Sequence, residues 1–245
     1  MKRVVWSLLA LGLICAMAPS FAAGPRQWIP LNQATNTIAI DYHSIDMKGA
    51  NITLDLRQQF AKPQTDGDVV YEAAIHHYTV DCDKQSLDRI SSHAYDARAR
   101  NNEGAEVHPP AAMDHITLGS FKSFCIWHQH GFALPDITLD AAWEDMEQTS
   151  SVVRITEAPV RRQKKDHLVL FAVRNDFSPP VTANGATFSY ALIENLYQCD
   201  NPDSNGTMSL FYDAEKKPIE IAFYHEQSSM PKLDSNRERY AAACN

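Results

Sequence analysis

The stretch YTVDCDKQSLDRISSHAYDA at positions 78–97 decides the fold, because a second stretch, NLYQCDNPDSNGTMSLFYDA at positions 195–214, follows the same pattern. In both, a Cys-Asp pair is followed by Tyr-Asp-Ala, which begins thirteen positions after the cysteine. A chance match of two cysteines would not bring these neighbours along with it. The two stretches therefore indicate two copies of one unit, offset by 115 to 119 residues.

Residues upstream of the two stretches repeat at matching distances. Trp28 precedes the first Cys-Asp pair by 54 positions, and Trp143 precedes the second by 56. The pattern Arg-x-x-Phe-x-x-Pro begins at Arg57 and again at Arg174. The small differences in spacing fall where turns are expected, and turns are where insertions are tolerated best.

The cysteines predict two disulfides. Four cysteines allow three pairings, but a repeat in which each unit closes itself selects Cys82 with Cys125 and Cys199 with Cys244. In an oxidising compartment each bridge would close a loop of about 44 residues and stabilise its unit by roughly 4 kcal/mol.

The N-terminus has the pattern of a secretory signal peptide. Lys2 and Arg3 precede an apolar stretch over residues 4–17, which is shorter than the roughly 20 residues that a membrane-spanning helix needs. Small residues place the expected cleavage after Ala22, so residues 1–22 form the leader. Cleavage there removes Cys15, and no lipid anchor is expected.

Composition excludes two classes of partner. The formal net charge is −8 and becomes −10 once the two leader cations are removed, which disfavours a general nucleic-acid binder. After the leader no apolar run approaches membrane length, so no membrane span is expected. The sequence therefore predicts an exported protein of the periplasm or the extracellular space, with association to the cell surface as a further expectation.

The predicted fold class is α+β, with two tandem small domains. Each would contain an antiparallel sheet of about five or six strands and a C-terminal α-helix tied to the sheet by one disulfide. The first unit spans 23–127, the junction 128–142 and the second unit 143–245; whether the junction is free or packed stays open. Segments that are rich in β-branched residues and partly alternating predict the strands, and apolar spacing predicts the helices. In the first unit the predicted strands are 37–42, 51–60, 69–82 and 86–98, and the helix is 117–127. In the second unit the predicted strands are 151–156, 167–177, 186–199, 207–214 and 218–224, and the helix is 239–244.

The order of these features resembles the surface-adhesin protein E-like domain of bacterial exported proteins. The residues that carry the resemblance are Trp28, Cys82, Tyr95, Asp96, Ala97, Ser120 and Cys125 in the first unit, and Trp143, Cys199, Tyr212, Asp213, Ala214, Ser235 and Cys244 in the second. The resemblance implies an antiparallel sheet with a packed C-terminal helix in an exported bacterial protein. The founding member of the family is a lipid-anchored adhesin that binds host matrix and serum proteins. This chain departs from it by its two units and by the expected lack of a lipid anchor.

Two further segments are candidates for ligand binding. The run Arg161-Arg162-Gln163-Lys164-Lys165 occupies the place of a hairpin turn, and its four cations predict contact with a polyanion, against the simpler interpretation of a solvated turn. His128 and His130 are the best pair for a metal ion, and His108, Asp114 and His115 lie near them in sequence, but none of these completes a tight ligand set. No metal site and no cofactor are therefore predicted.

The sequence contains none of the motifs that indicate catalysis. Gly-x-Ser-x-Gly, His-Glu-x-x-His and a glycine-rich phosphate loop do not occur, and the disulfides use the cysteines that could act as nucleophiles. We expect a non-catalytic binding or adhesion module of the bacterial cell envelope that recognises a host-matrix or envelope protein. The alternatives are a structural or stress-related periplasmic protein without a dedicated ligand, and a protein that binds a metal or a small molecule.

Overall fold

The computed structural model describes residues 26–31, 38–109, 121–145, 153–183, 185–199, 205–224 and Cys244. Strands account for 66% of these residues and helix for 6%. The predicted leader, residues 1–22, and its cleavage site lie outside the described residues, as does helix 239–244 apart from Cys244.

Sheet A is an antiparallel meander of six strands in chain order. The turn between its second and third strands contains Gly49 at φ +58°, a conformation that glycine adopts without strain. All four strands predicted for the first unit are present, and two short edge strands were not predicted. The strands are β1 (Trp28–Pro30), β2 (Ile38–Lys48), β3 (Asn51–Asp66), β4 (Val69–Asp81), β5 (Ser86–Tyr95) and β6 (Glu103–Glu106).

Sheet B repeats this order in the second half of the chain. Its path runs β13-β12-β11-β10-β8-β7, and the short β9 pairs with β10. All five strands predicted for this half are present. The strands are β7 (Glu144–Asp145), β8 (Val153–Glu157), β9 (Gln163–Lys165), β10 (Leu168–Ala183), β11 (Ala186–Gln198), β12 (Asn205–Tyr212) and β13 (Pro218–Tyr224), with a 3-10 turn at Pro159–Arg161.

The predicted α+β class is wrong, because the fold is built almost wholly from two antiparallel sheets. In the part of the chain that the structure describes, α1 (Lys122–Gln129) is the single α-helix, and it lies mid-chain between the sheets. The apolar spacing over 117–127 predicts a helix, and α1 occupies the second half of that range, with Phe124 and Trp127 fully buried. The class was wrong because strands that run further than predicted, such as β3 and β10, dominate the described residues, and the predicted helix 239–244 lies outside them apart from Cys244.

One hydrophobic core lies between the two sheets. It includes Ile40 and Leu54 of sheet A, Leu170 and Leu192 of sheet B, and Phe124 of α1. Phe124 touches Phe223 of β13, with ring centroids 4.9 Å apart. A parallel bridge between Leu31 and Ile221 also places β1 beside β13. The two halves are thus joined by burial of a shared apolar surface.

The junction between the halves is packed into this core. Phe132, Ile137 and Leu139 are buried members of it. The hydroxyl of Tyr42 in sheet A donates to the carbonyl of Pro135 at 2.8 Å, and the hydroxyl of Tyr212 in sheet B donates to the carbonyl of Ile137. Both sheets therefore hold the junction in place.

The two sheets stack so that unlike faces meet in the shared core. In sheet A, Cys82 faces the shared core. Trp28 lies on the opposite, outer face, because neighbouring side chains of a strand alternate between faces and Ile29 is in the core. In sheet B the tryptophan of the unit, Trp143, packs against the shared core, and Cys199 and Cys244 lie against a cluster on the far face. The disulfide face of sheet A therefore meets the tryptophan face of sheet B.

A buried carboxyl group stands between the sheets. Glu194 of β11 has 2% of its surface exposed. Burial raises its pKa to about 7; the charge of Arg161 acts against this rise and that of Asp136 adds to it. The fold therefore favours the protonated form of Glu194 below neutral pH.

We predict that Phe124→Ala lowers the free energy of unfolding by about 3–5 kcal/mol, because it removes a fully buried ring and leaves a cavity. Urea unfolding followed by circular dichroism measures this, and a single transition is expected since both sheets share the core. The control is Ile90→Ala, at a side chain that is 66% exposed, which should change stability by no more than about 0.5 kcal/mol. Equal effects of the two variants would contradict the shared core.

We also predict a pH dependence that Glu194 controls. The folded pKa of Glu194 is raised to about 7 from 4.5, so its contribution to stability is full below pH 4.5 and is lost as pH rises through 7. At pH 8, Glu194→Gln should be more stable than the wild type by up to about 3 kcal/mol. Unfolding curves at several pH values would decide, and a difference between the two proteins that stays constant with pH would refute the assignment.

Candidate functional site

The outer face of sheet A carries an arginine held between two aromatic rings. The guanidinium of Arg57 on β3 lies 5.4 Å from the ring centroid of Trp28 on β1 and 5.1 Å from that of Tyr95 on β5. The two rings meet edge to face at 6.4 Å. We call Trp28, Arg57 and Tyr95 the aromatic layer. Antiparallel pairing brings these side chains together from strands that are distant in sequence.

An ionic cluster borders the aromatic layer on the same face. Arg26 lies over the ring of Trp28 at 5.4 Å and donates to Asp55 at 2.6 Å and to Glu103. Asp55 also accepts a hydrogen bond from Nδ1 of His77 at 2.6 Å. Only 12% of the Arg26 side chain is exposed, so this cluster is screened from solvent more than an ordinary surface ion pair is.

The titratable groups of the cluster shift one another. A hydrogen bond to Asp55 raises the pKa of His77 despite its partial burial. Burial acts to raise the pKa of Asp55, but the hydrogen bonds and charges of His77 and Arg26 outweigh it and leave the pKa below its usual value. The cluster therefore favours an ionised Asp55 and a protonated His77.

Three possible metal ligands meet in this cluster. The ligand atoms of His77, His93 and Glu103 all lie within 4.8 Å of one another. Nε2 of His77 is 3.7 Å from Oε1 of Glu103, and the rings of the two histidines are 5.3 Å apart. Sequence reasoning missed this set, because its members come from β4, β5 and β6 and are separated by 16 and 10 positions. The only signal that could have found it is the register of the three strands.

The neighbouring histidine has a structural role. His76 points to the inner face of β4 and is fully buried. One ring nitrogen lies 2.8 Å from Oγ of Ser92 and the other 3.2 Å from Oε1 of Gln58. Burial lowers its pKa to about 4, with the charges of Arg89 and His77 adding to the effect. His76 is therefore neutral at physiological pH and belongs to the core.

Both disulfides of the structure join the cysteines that the repeat pairs. Cys82 at the end of β4 is bonded to Cys125 of α1, with Cα atoms 5.4 Å apart. Cys199 is bonded to Cys244, with Cα atoms 5.8 Å apart. The first bridge fixes α1 to sheet A inside the shared core.

The basic run makes contacts within the chain. Only 12% of the Arg161 side chain is exposed, and its guanidinium covers the ring of Trp143 at 5.4 Å. Contact with a polyanion stays a prediction, but these cations are already engaged. The hydrogen bonds join Arg161 to the carbonyls of Asp136 and Thr138, Arg162 to Glu157, Lys164 to the carbonyl of Cys244, and Lys165 to the carbonyl of Gly131.

The other histidine pair considered for a metal ion is not brought into a ligand set. His128 lies on α1 and its Nε2 bonds the carbonyl of Gly49. His130 follows the helix and is exposed. Within the described segments, the one group of three possible ligands is the set on the outer face of sheet A.

The comparison with known families coincides with this half of the chain. Residues 28–123 match the family described as surface-adhesin protein E. The match begins at Trp28 of the aromatic layer and contains all of sheet A, and it covers less than half of the chain. We call residues 28–123 the adhesin E segment. Both the aromatic layer and the three possible metal ligands lie within it.

Two negative findings accompany this match. No curated protein matches the chain. Among the residues that the structure describes, none of the helices is long and apolar enough to cross a membrane.

We predict that the aromatic layer stabilises the adhesin E segment through Arg57. Arg57→Met keeps an apolar stem but loses the cation between the two rings, and it should lower the free energy of unfolding by about 1 kcal/mol. The control is Arg100→Met in an exposed turn, where about 0.5 kcal/mol or less is expected. If denaturant unfolding shows the same stability for both variants, the stacked arginine contributes nothing.

Proposed function

We propose that the protein is an exported, non-catalytic adhesion module that binds a protein partner, from the host matrix or the cell envelope, through the outer face of sheet A. The observation that carries this proposal is that the match to a surface-adhesin family covers sheet A, including its aromatic layer. Sheet B lies outside the match.

A comparison of the two sheets supports the choice of this face. In sheet B the corresponding tryptophan, Trp143, donates its indole N–H to the carbonyl of Leu139 at 2.9 Å. Arg161 and Arg174 lie over its ring at 5.4 and 5.7 Å. The packed junction thus satisfies the tryptophan face of sheet B.

In the described part of the chain, the same face of sheet A has no such partner. The indole N–H of Trp28 is buried and has no acceptor in the structure as described, although Arg26 and Arg57 lie over its ring as Arg161 and Arg174 do over Trp143. A buried donor without an acceptor costs free energy. Within the described residues, the tryptophan face of sheet A is therefore less completely satisfied than that of sheet B.

The second half of the chain extends the proposal. Sheet B has the strand order of sheet A, and its disulfide spans 45 positions where that of sheet A spans 43. We propose that residues 143–245 are a second unit of the same kind whose tryptophan face is used internally. Residues 1–22 would direct export, and subcellular fractionation would separate a periplasmic location from a surface location.

The test is a solid-phase binding assay of the purified chain against extracellular-matrix proteins and solubilised envelope proteins. We predict that Thr53→Arg with Gln59→Arg, two exposed positions on the outer face of sheet A, abolishes saturable binding, because the added side chains block the face. The control adds the same charge at exposed positions of sheet B, as Val181→Arg with Thr187→Arg, and should bind as the wild type does.

Two results would count against the proposal. Binding that survives the outer-face substitutions would place adhesion elsewhere on the molecule. A wild-type chain that captures no protein from either source would favour a structural or stress-related envelope protein without a dedicated ligand.

A further inference from the structure

We propose that His77, His93 and Glu103 bind a divalent transition-metal ion, for which Zn²⁺ is the best candidate. Two imidazoles and one carboxylate are a ligand set that zinc accepts, whereas calcium and magnesium prefer oxygen alone. The three ligand atoms already lie within 4.8 Å of one another. This site is independent of adhesion and needs no partner protein.

The distances require little movement. Ligands about 2.0–2.1 Å from a tetrahedral zinc ion lie about 3.3 Å from one another. Nε2 of His77 and Oε1 of Glu103 are 3.7 Å apart. The three side chains project from adjacent strands, β4, β5 and β6, so the sheet sets their spacing. Each is partly buried, which reduces competition from bulk water.

A second carboxylate orients the first histidine. Nδ1 of His77 donates to Oδ1 of Asp55 at 2.6 Å, which leaves Nε2 as the nitrogen that faces Glu103. Metal-binding histidines commonly donate their other ring nitrogen to a carboxylate, which fixes the tautomer and makes the imidazole a better ligand. Asp55 is thus a positioning residue for the proposed ion.

The charges of the surroundings tune this site. Asp55 and Glu103 carry two negative charges near the proposed ion, and Arg26 carries one positive charge bonded to both. The proposed ion would replace the proton on Nε2 of His77, and Arg26 competes with it for Glu103. Three protein ligands also leave a fourth position for water or for a donor from another molecule.

The test is isothermal titration calorimetry of the full chain with zinc sulfate, with circular dichroism to show that each protein is folded. We expect one zinc ion per chain. His77→Ala and His93→Ala should each weaken binding by more than tenfold, and Asp55→Asn should weaken it by about tenfold through loss of the oriented tautomer. Cobalt substituted for zinc should give the visible absorption of a nitrogen-ligated tetrahedral ion, and this absorption should be lost in His93→Ala.

Two controls separate this site from incidental binding. His108 is an exposed histidine that also pairs with a carboxylate, Asp66, at 3.1 Å, so His108→Ala removes a comparable group outside the site and should bind zinc as the wild type does. Arg26→Gln removes the competing cation and should bind zinc more tightly than the wild type, a gain that a purely structural ion pair would not produce.

Three outcomes would overturn the proposal. These are a wild-type chain that shows no zinc binding, folded His77→Ala and His93→Ala variants that bind zinc unchanged, and loss of binding in His108→Ala. If His77→Ala does not fold, His93→Ala alone decides, because His93 makes no ion pair in the described cluster. Failure of these tests leaves the adhesion proposal intact, since that proposal rests on the aromatic layer and its own assay.

Discussion

The structure depends on burial of one apolar surface between two antiparallel sheets, with α1 enclosed by both. Neither sheet covers its inner face alone: sheet A presents Ile40 and Leu54, sheet B presents Leu170 and Leu192, and Phe124 fills the space between them. The bond between Cys82 and Cys125 fixes α1 to sheet A, so that the helix reaches sheet B from a defined position. Each disulfide joins two cysteines of the same half, whereas the hydrophobic core is shared by both halves.

Because unlike faces meet in the core, the tryptophan face is turned inward in sheet B and outward in sheet A. The tryptophan face of sheet B is turned inward, where the junction covers Trp143 and supplies a carbonyl to its indole. Among the residues that the structure describes, no third sheet packs against the same face of sheet A. Two similar sheets that stack in this way leave one face of sheet A unmatched among the described residues, and that face lies within the segment that matches a surface-adhesin family.

The unmatched face is polar and preorganised. Arg57 is held by two rings, and Arg26 links Asp55 to Glu103 while Asp55 orients His77. Side chains that are already fixed lose little conformational entropy when a partner or an ion arrives. The aromatic layer and the histidine pair lie side by side on sheet A but use different side chains, so substitutions can test the proposed adhesion and the proposed metal binding separately.

Much was determined by the sequence alone: both disulfide pairs and nine of the strands. These features are local patterns or recur at fixed spacing, so they can be identified in the amino-acid sequence without knowledge of the tertiary structure. Tertiary structure alone decided that the helical content is small, that the junction is packed, and that His77, His93 and Glu103 meet. The physical reason is that pairing between distant segments sets the register of the strands, and thereby which side chains meet on a face of the sheet. The direction in which the two sheets stack is set by which faces exclude water together.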